Sequence, residues 1–495
     1  MGINPMEKTR VAIIGAGLGG LCAGIKLKEA GIEDFLIFER NPKVGGTWYE
    51  NKYPGCCCDT PVALYEFSFF KSANWNYIYP HSAEVQIYAE ELVEAYQLGI
   101  HLRLAEAATE ATWDAEACQW HLITESGREI LADAIIAALG QLNRPAFPSI
   151  EGLDRFEGPT MHSARWKDDV SLSDKRVGVV GSAASAVQLI PEVAKEAAAL
   201  TVFQRSANYV IPKIDRAVTD EEKTLMTTAP DIAASLGLRQ REMMYDHSEY
   251  FYWQTFSWTE TGRAAFSRIA LNNLEDHVPD PELRKKLTPD YPIGCKRVLV
   301  ASDFYPAMMR ENVSLVTDGI ARIHPQGLET NEGAIHPLDV LVFATGFETS
   351  GWHWSLDVIG SQGQRLQELW SDGPEAYQGI TVAGFPNFFM LYGPNTNLGH
   401  GCITNMLELE VGYTLQALQS LEDQGAKALS PTLAAQTRFN QQLQEDLSQR
   451  VWADPQCTSW YKNAEGKITQ NWSDNINTYA EGVSSLVLSD YEFIR

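Results

Sequence analysis

Residues 10-RVAIIGAGLGGLCAGIKLKEAGIEDFLIFER-40 contain a complete strand–turn–helix–strand unit. RVAII is an apolar run of strand length that ends on a glycine turn, Gly15, Gly17 and Gly20. Each glycine has a task in such a turn: the tight bend, the close approach of backbone to a pyrophosphate, and helix–sheet packing. LCAGIKLKEAG follows as a helix with small residues on its sheet-facing side, closed by Gly31. Its N-terminus offers amides to phosphate oxygens. FLIFER returns as a second strand and ends on Glu39, 24 residues after Gly15. That spacing puts a carboxylate beside the adenosine ribose of a bound dinucleotide, where it accepts hydrogen bonds from the hydroxyls.

A weaker copy of the unit lies at 175-KRVGVVGSAASAVQLIPEVAKEAAALTVFQRS-206. Gly181 and Ser182 open its turn, but Ala183 and Ala186 stand where glycines are usual, with Ser185 between them. Alanine is tolerated at the last position. At the middle one its methyl lies close to the phosphates and loosens the grip. Arg205 follows Gly181 by the same 24 residues, with Ser206 beside it. A guanidinium there offers planar donors to a 2′-phosphate. Opposite charges at equal spacing imply two dinucleotides, the first non-phosphorylated and the second NADPH. Electrons would then pass from NADPH to a flavin. The alternative for the second unit is an ordinary βαβ element with no ligand.

With 495 residues, about three domains are expected. A formal net charge of -25 disfavours nucleic acid and anionic membranes as partners, so an NADPH site must be a local basic island. No apolar run is long enough to span a membrane. The start, MGINPMEKTRVAIIGAG, enters a strand almost at once and lacks the order of a secretory signal. None of the eight cysteines forms a CxxC pair, and they are expected to be reduced thiols in a cytoplasmic protein. His162 has no second ligand at metal spacing, so no metal is expected.

The order of segments gives an α/β chain with two Rossmann-type dinucleotide-binding domains. Residues 1–145 and 336–495 would form the first, and 150–217 with 291–335 the second. The polar, aromatic-dotted stretch 218–290 reads as a helical insertion in the second domain, with Tyr250 to Trp258 as its core. The Gly-, Pro- and aromatic-rich loop from Asn41 to Ala63 is too long for a plain connector and is expected to be functional.

Within that loop, 45-GGTWYENKYPGCCCD-59 matches every defined position of the GGxWxxxx(F/Y)PGxxxD signature. Phe156, Gly158, His162 and Trp166 make FxGxxxHxxxW just before the second turn. In these stretches the chain resembles the type I flavin Baeyer–Villiger monooxygenases. Trp166 leans away from the related N- and S-oxygenating enzymes, which carry Tyr or Phe there. Lys167 before Asp168 is a small departure. GCKRVLVASDFYPAMMRENVSLV, DVLVFATGF, FPNFFMLYGPNTN and CTSWY extend the likeness over nearly the whole chain, toward the branch that includes the hydroxyacetophenone-oxidising enzymes.

The resemblance implies FAD in the first domain, near Gly15, Gly17, Gly20, Glu39, Gly46, Thr47, Trp48, Asp59, Tyr65 and Ala108. It implies NADP near Cys57, Gly181, Ser182, Ala183, Ser185, Ala186, Arg205, Ser206, Lys296, Arg297 and Trp460. The implied reaction inserts one O2-derived oxygen beside a ketone carbonyl through a C4a-peroxyflavin, giving an ester or lactone. Arg297 is the expected catalytic cation, stabilising the peroxide anion and the negatively charged adduct, with Asp59 orienting it. The plainer reading is an ion pair that joins two domains. His162, without a base or nucleophile partner, is read as a linker residue affecting domain motion. Leu139, Cys56, Cys57 and Glu66 depart from common family residues and bear on cofactor affinity and substrate choice. Two alternatives stand: an oxygenase of sulfur or nitrogen centres, and an NADPH-oxidising flavoprotein without oxygenase activity. Which ketone is taken, and the oligomeric state, stay open at this point. The insertion and 393-GPNTNLGHGCITNM-406 are expected to shape the pocket.

Overall fold

The apolar run ahead of each glycine turn becomes an inner strand of its own sheet. In the computed structural model, residues 6–229, 231–232, 260–349, 355–399 and 401–495 are described. Eight strands form the first sheet: β1 (Glu7–Ile14), β2 (Phe35–Glu39), β3 (Leu102–Leu104), β4 (Ala108–Asp114), β5 (Gln119–Thr124), β6 (Glu129–Ala137), β17 (Asp357–Ile359) and β18 (Phe388–Met390). Its order is β17-β4-β5-β6-β1-β2-β3, with β18 parallel to the end of β6. The second sheet is wholly parallel: β12 (Val313–Val316), β9 (Ala199–Phe203), β8 (Arg176–Val180), β16 (Val340–Phe343) and β7 (Thr160–His162), in that order. Two small sheets complete this half. β10 (Val210–Ile211) pairs with β11 (Leu299–Val300), and β13 (Ile320–His324), β14 (Gly327–Thr330) and β15 (Ile335–Pro337) form an antiparallel ribbon.

Both large sheets are covered on both faces, which is why their central strands read as unbroken apolar runs. Val11 and Ile13 of β1 face a cluster with helix α1 (Leu18–Glu29) and helix Ile403–Gln424. Ala12 and Ile14 face the opposite cluster, with Trp120 and Phe388. β2 alternates the same way, Phe35 and Ile37 against Leu36 and Phe38. In the second sheet Val177 and Val179 meet Leu189 and Val193 of the helix Ala184–Glu196, whereas Val180 meets Phe343.

The turn after β1 shows why glycine is required. Gly15 has φ +104, and its N–H donates to the Phe38 carbonyl at 2.7 Å. A Cβ at Gly20 would sit on the Gly15 carbonyl oxygen, so the helix could not reach this depth. The second turn repeats the arrangement: Gly181 has φ +113 and donates to the Phe203 carbonyl at 2.9 Å.

Two expectations are corrected. β16 pairs with β8 and β7, so Val340–Phe343 belongs to the second sheet, beyond the boundary placed at residue 336. An apolar strand carries no local mark of which sheet it will join. Cys295 and Cys457 are joined in a disulfide, with Cα atoms 5.3 Å apart and a sequence separation of 162. They are not reduced thiols; Cys22, Cys56, Cys57, Cys58, Cys118 and Cys402 are free. Spacing rules test only near neighbours, whereas these two meet through packing around Tyr291 and through the Trp452 indole, which donates to the Gly294 carbonyl at 3.1 Å.

Of the insertion, Asp220–Thr228, Glu260–His277 and Pro281–Leu287 are helical, and Tyr250 to Trp258 lie outside the described residues. No helix among the described residues is long and apolar enough to cross a membrane.

Because the disulfide closes a loop of 162 residues, removing it should lower the unfolding free energy. Cys457→Ser is expected to lose about 2–5 kcal/mol, measured by urea denaturation without reductant. Added reductant should bring the parent protein down to the variant's value.

Candidate functional site

The cavity of about 420 Å³ runs from the first glycine turn to the face of the second sheet's helix. At one end Gly15, Gly17 and Glu39 line it. No side chain caps the N-terminus of α1, and Leu18 and Gly19 of its first turn also face the cavity. Glu39 is buried, and its carboxylate is fixed from both sides: Oε2 accepts from the Ala16 amide at 2.8 Å, and Oε1 from the amide and side chain of Asn41, each at 2.9 Å. The far end of the expected ribose contact is therefore held rigid by the turn itself.

The middle of the wall comes from the long loop. Gly46, Thr47, Trp48, Cys57, Asp59 and Tyr65 all line the cavity, as does Ala108 at the start of β4. The Trp48 indole donates to the Tyr65 hydroxyl at 2.8 Å, and the two rings meet edge-on. Burial holds the Tyr65 phenol well above its ordinary value, so it stays protonated.

Asp59 and Arg297, 238 residues apart, meet at the centre. Nε lies 2.9 Å and Nη2 2.8 Å from the same carboxylate oxygen, Oδ2. Asp59 pushes the guanidinium above its ordinary value, against the cost of burial. The Arg297 side chain is 42% accessible because it faces the cavity, although protein surrounds the pair. Two tyrosines absent from the sequence-based set stand beside it, Tyr392 and Tyr461, each felt electrostatically by Arg297. Burial pushes Tyr461 up to about 12 and raises Tyr392 as well, so both phenols are neutral next to the cation. Tyr392 adopts φ +58, and its hydroxyl donates to Asn397 Oδ1 at 2.5 Å.

The other expected nucleotide contacts divide. Ser185 lines the cavity, together with Ala184 and Gln188 from the same helix, α5 (Ala184–Glu196). Ala183 is its N-cap and Ala186 is fully buried beneath it. Gly181, Ser182, Arg205, Ser206 and Lys296 form a separate polar cluster at the ends of β8 and β9. Ser182 Oγ donates to the Ser206 carbonyl at 3.3 Å, and Lys296 Nζ donates to Ser206 Oγ at 2.8 Å. Burial lowers the Lys296 ammonium from its ordinary value, and the neighbouring Arg205 lowers it further. This is a basic island in an acidic chain. Trp460 is not part of the cavity wall; it packs on Tyr461 with ring centres 4.7 Å apart.

The FxGxxxHxxxW residues stand away from the cavity wall. Phe156 packs under the β13–β15 ribbon, Gly158 passes against the Asp339 carbonyl, and Trp166 packs on the α5 side of the second sheet. His162 ends β7 and is 1% exposed; its Nδ1 accepts from the Ala164 amide at 3.1 Å. Glu66, the departure in the loop, is buried and accepts from the Trp75 indole at 2.7 Å and the Ser72 amide at 3.0 Å, which makes it an organiser of its own loop.

The family described as pyridine nucleotide-disulphide oxidoreductase matches residues 12–219. A Baeyer–Villiger monooxygenase of Streptomyces coelicolor is 37% identical over 490 residues, 99% of this chain and 93% of that protein. A protein of the same name from Pseudomonas aeruginosa is 37% identical over 452 residues, 91% of this chain and 85% of that one. Among solved structures, an oxidised steroid monooxygenase bound to NADP superposes with a TM-score of 0.87 at 28% identity, covering 99% of this chain and 100% of that one. A closed cyclohexanone monooxygenase gives 0.87 at 27% identity, covering 99% of each.

Burial pushes the His162 imidazole from 6.5 down to about 4, against a backbone hydrogen bond at Gly346 that favours the charged form. The folded state thus binds this proton later than the unfolded chain does. Stability should fall as pH drops from about 6.5 toward 4 and stop falling below that, a loss of about 3 kcal/mol in all. His162→Gln is expected to remove this component. Urea denaturation from pH 7.5 to 4.5 should then show the parent losing roughly 2 kcal/mol more than the variant.

Proposed function

Because this chain belongs to the Baeyer–Villiger monooxygenase family, we propose that the Asp59–Arg297 cavity is where it inserts an O2-derived oxygen beside a ketone carbonyl. The enzyme is an FAD-containing, NADPH-dependent monooxygenase, and the product is an ester or lactone. The residues present suit both nucleotides. The first end of the cavity joins uncapped helix amides to a rigid carboxylate, as an unphosphorylated ribose and its pyrophosphate require. The Arg205–Lys296–Ser206 cluster is cationic where a 2′-phosphate needs charge. The Ala183 methyl makes the second grip the looser one.

On this reading the first domain takes residues 1–145 and the chain beyond β16. The second takes 150–217 and 291–343, around the 218–290 insertion. FAD when bound supplies the redox and oxygen-activating chemistry, and NADPH supplies the hydride. The chain itself supplies placement and charge. Arg297 keeps its proton at every working pH, so its positive charge meets the negative charge that develops on the ketone oxygen during attack. Asp59 fixes the guanidinium plane through two N–H groups. Tyr392 and Tyr461 wall the cation with neutral phenols, which keeps its field unscreened by a second anion. The single observation that carries the reading is this pair: one cation and its orienting carboxylate, from opposite halves of the chain, at the centre of a cavity that touches both glycine-turn helices.

The test is oxygen uptake and NADPH oxidation by the FAD-loaded protein with a panel of aryl, linear and cyclic ketones, and product mass analysis. The parent is expected to add one oxygen as an ester. Arg297→Ala should lower ester formation at least about 100-fold while flavin reduction persists. NADPH oxidation that yields only hydrogen peroxide across the panel would refute the assignment. Arg205→Ala should cut the preference for NADPH over NADH roughly 10- to 100-fold, in proportion to lost charge-assisted hydrogen bonds.

A further inference from the structure

One side chain outside the expected site set makes more contacts across the two halves than its chemistry as a plain helix residue would require. Gln188 lies in the second turn of α5, on the helix that starts at the second glycine turn. Its Oε1 accepts from the Tyr53 hydroxyl at 2.8 Å and from the Cys57 amide at 3.3 Å. Its Nε2 donates to the Cys57 carbonyl at 3.0 Å. One carboxamide thus reads both backbone groups of Cys57, as a neighbouring strand would. Asp59 is two residues further along.

The approach is close in backbone terms as well. Gly55 has φ +80, and a Cβ there would strike the Gln188 carbonyl oxygen. From the other side, the Cys58 amide donates to the Pro80 carbonyl at 2.8 Å and the Ser82 amide to the Cys56 carbonyl at 2.9 Å. The loop that carries Asp59 is therefore clamped between its own half of the chain and α5. Ser185, one turn before Gln188 on the same face, lines the cavity and reaches the Tyr53 hydroxyl.

We propose that Gln188 is a positioning residue that couples occupancy of the nicotinamide-nucleotide turn to the seating of Asp59 against Arg297. The inference rests on the functional reading above. Its mechanical content is simple. The N-terminus of α5 is where a pyrophosphate would settle, and Gln188 ties the body of that helix to the loop ending in Asp59. A nucleotide that fixes the helix fixes the loop, and a helix that drifts draws the carboxylate off the guanidinium.

The experiment compares Gln188→Leu, which removes all three bonds at similar volume, with Gln188→Glu, which keeps the two accepted bonds and loses the donated one. Gly55→Ala, whose methyl pushes the loop off the Gln188 carbonyl oxygen of α5 while leaving the Gln188 carboxamide intact, is the independent variant. The FAD-loaded proteins are followed in three ways: the visible difference spectrum of the oxidised flavin on adding NADP⁺, the anaerobic rate of flavin reduction by NADPH, and ester formed per NADPH consumed. Gln188→Leu is expected to lower ester per NADPH at least fivefold more than it lowers the reduction rate, and to diminish the NADP⁺-induced spectrum. Gln188→Glu should fall between it and the parent, and Gly55→Ala should follow Gln188→Leu. A parent-like spectrum and ester yield in Gln188→Leu would overturn the proposal. If that variant fails to retain FAD, the same two readouts in Gln188→Glu decide. If the parent itself makes no ester from any ketone, the functional reading fails, and the spectrum, which needs no ketone, still decides whether Gln188 couples the two sites.

Discussion

The contact on which the rest depends is the ion pair between Asp59 and Arg297, because neither half of the molecule can make it alone. Asp59 ends a loop that leaves the first sheet, and Arg297 follows the insertion in the second. As a source of stability such a pair is modest, since both side chains reach water through the cavity. Its worth is positional. A guanidinium held through two N–H groups on one oxygen has a fixed plane, and a fixed plane is what a developing oxyanion requires. The glycine turns, the packed loop at 45–59 and the docking of α5 can all be read as conditions for that one meeting.

Charge is distributed to the same end. The chain carries a net charge of -25, yet the described cations at the second turn are concentrated. Burial and the neighbouring Arg205 disfavour the charged form of Lys296, which raises the readiness of the cluster to take an anion. At the first turn the sign is reversed, and Glu39 has already been satisfied by the protein's own amides. At the ribose position, one end of the site thus waits for a phosphate and the other refuses one.

Much of this was legible without coordinates, for reasons that are local. The glycine turns announce themselves because sterics allow nothing else at Gly15 and Gly20, and Glu39 and Arg205 follow at a spacing set by one βαβ unit. The pairing of Asp59 with Arg297 was legible only through family resemblance. What could not be read locally was what tertiary packing decides. β16 looks the same whether it joins one sheet or the other. Tyr392 and Tyr461 are unremarkable until packing brings both to the guanidinium, with the expected Trp460 packed on Tyr461 outside the cavity wall. Gln188 sits on an ordinary amphipathic helix, and only the loop lying across it reveals its role. The Cys295–Cys457 bond is illegible for the same reason, since nothing nearby in sequence marks partners 162 residues apart.

That cross-link also changes the topology of the molecule. With Cys295 and Cys457 joined, the chain between them is a closed ring, with the remaining residues as two tails. Lys296, Arg297 and Tyr392 all lie on the ring, whereas Asp59 and Glu39 lie on the amino-terminal tail. A single peptide bond broken within the ring opens it without dividing the molecule, and the arginine stays tethered to its surroundings by the other arm. A break in a tail severs a piece outright. The segment bearing the cation is thus held by two covalent routes, and the segment bearing its carboxylate by one.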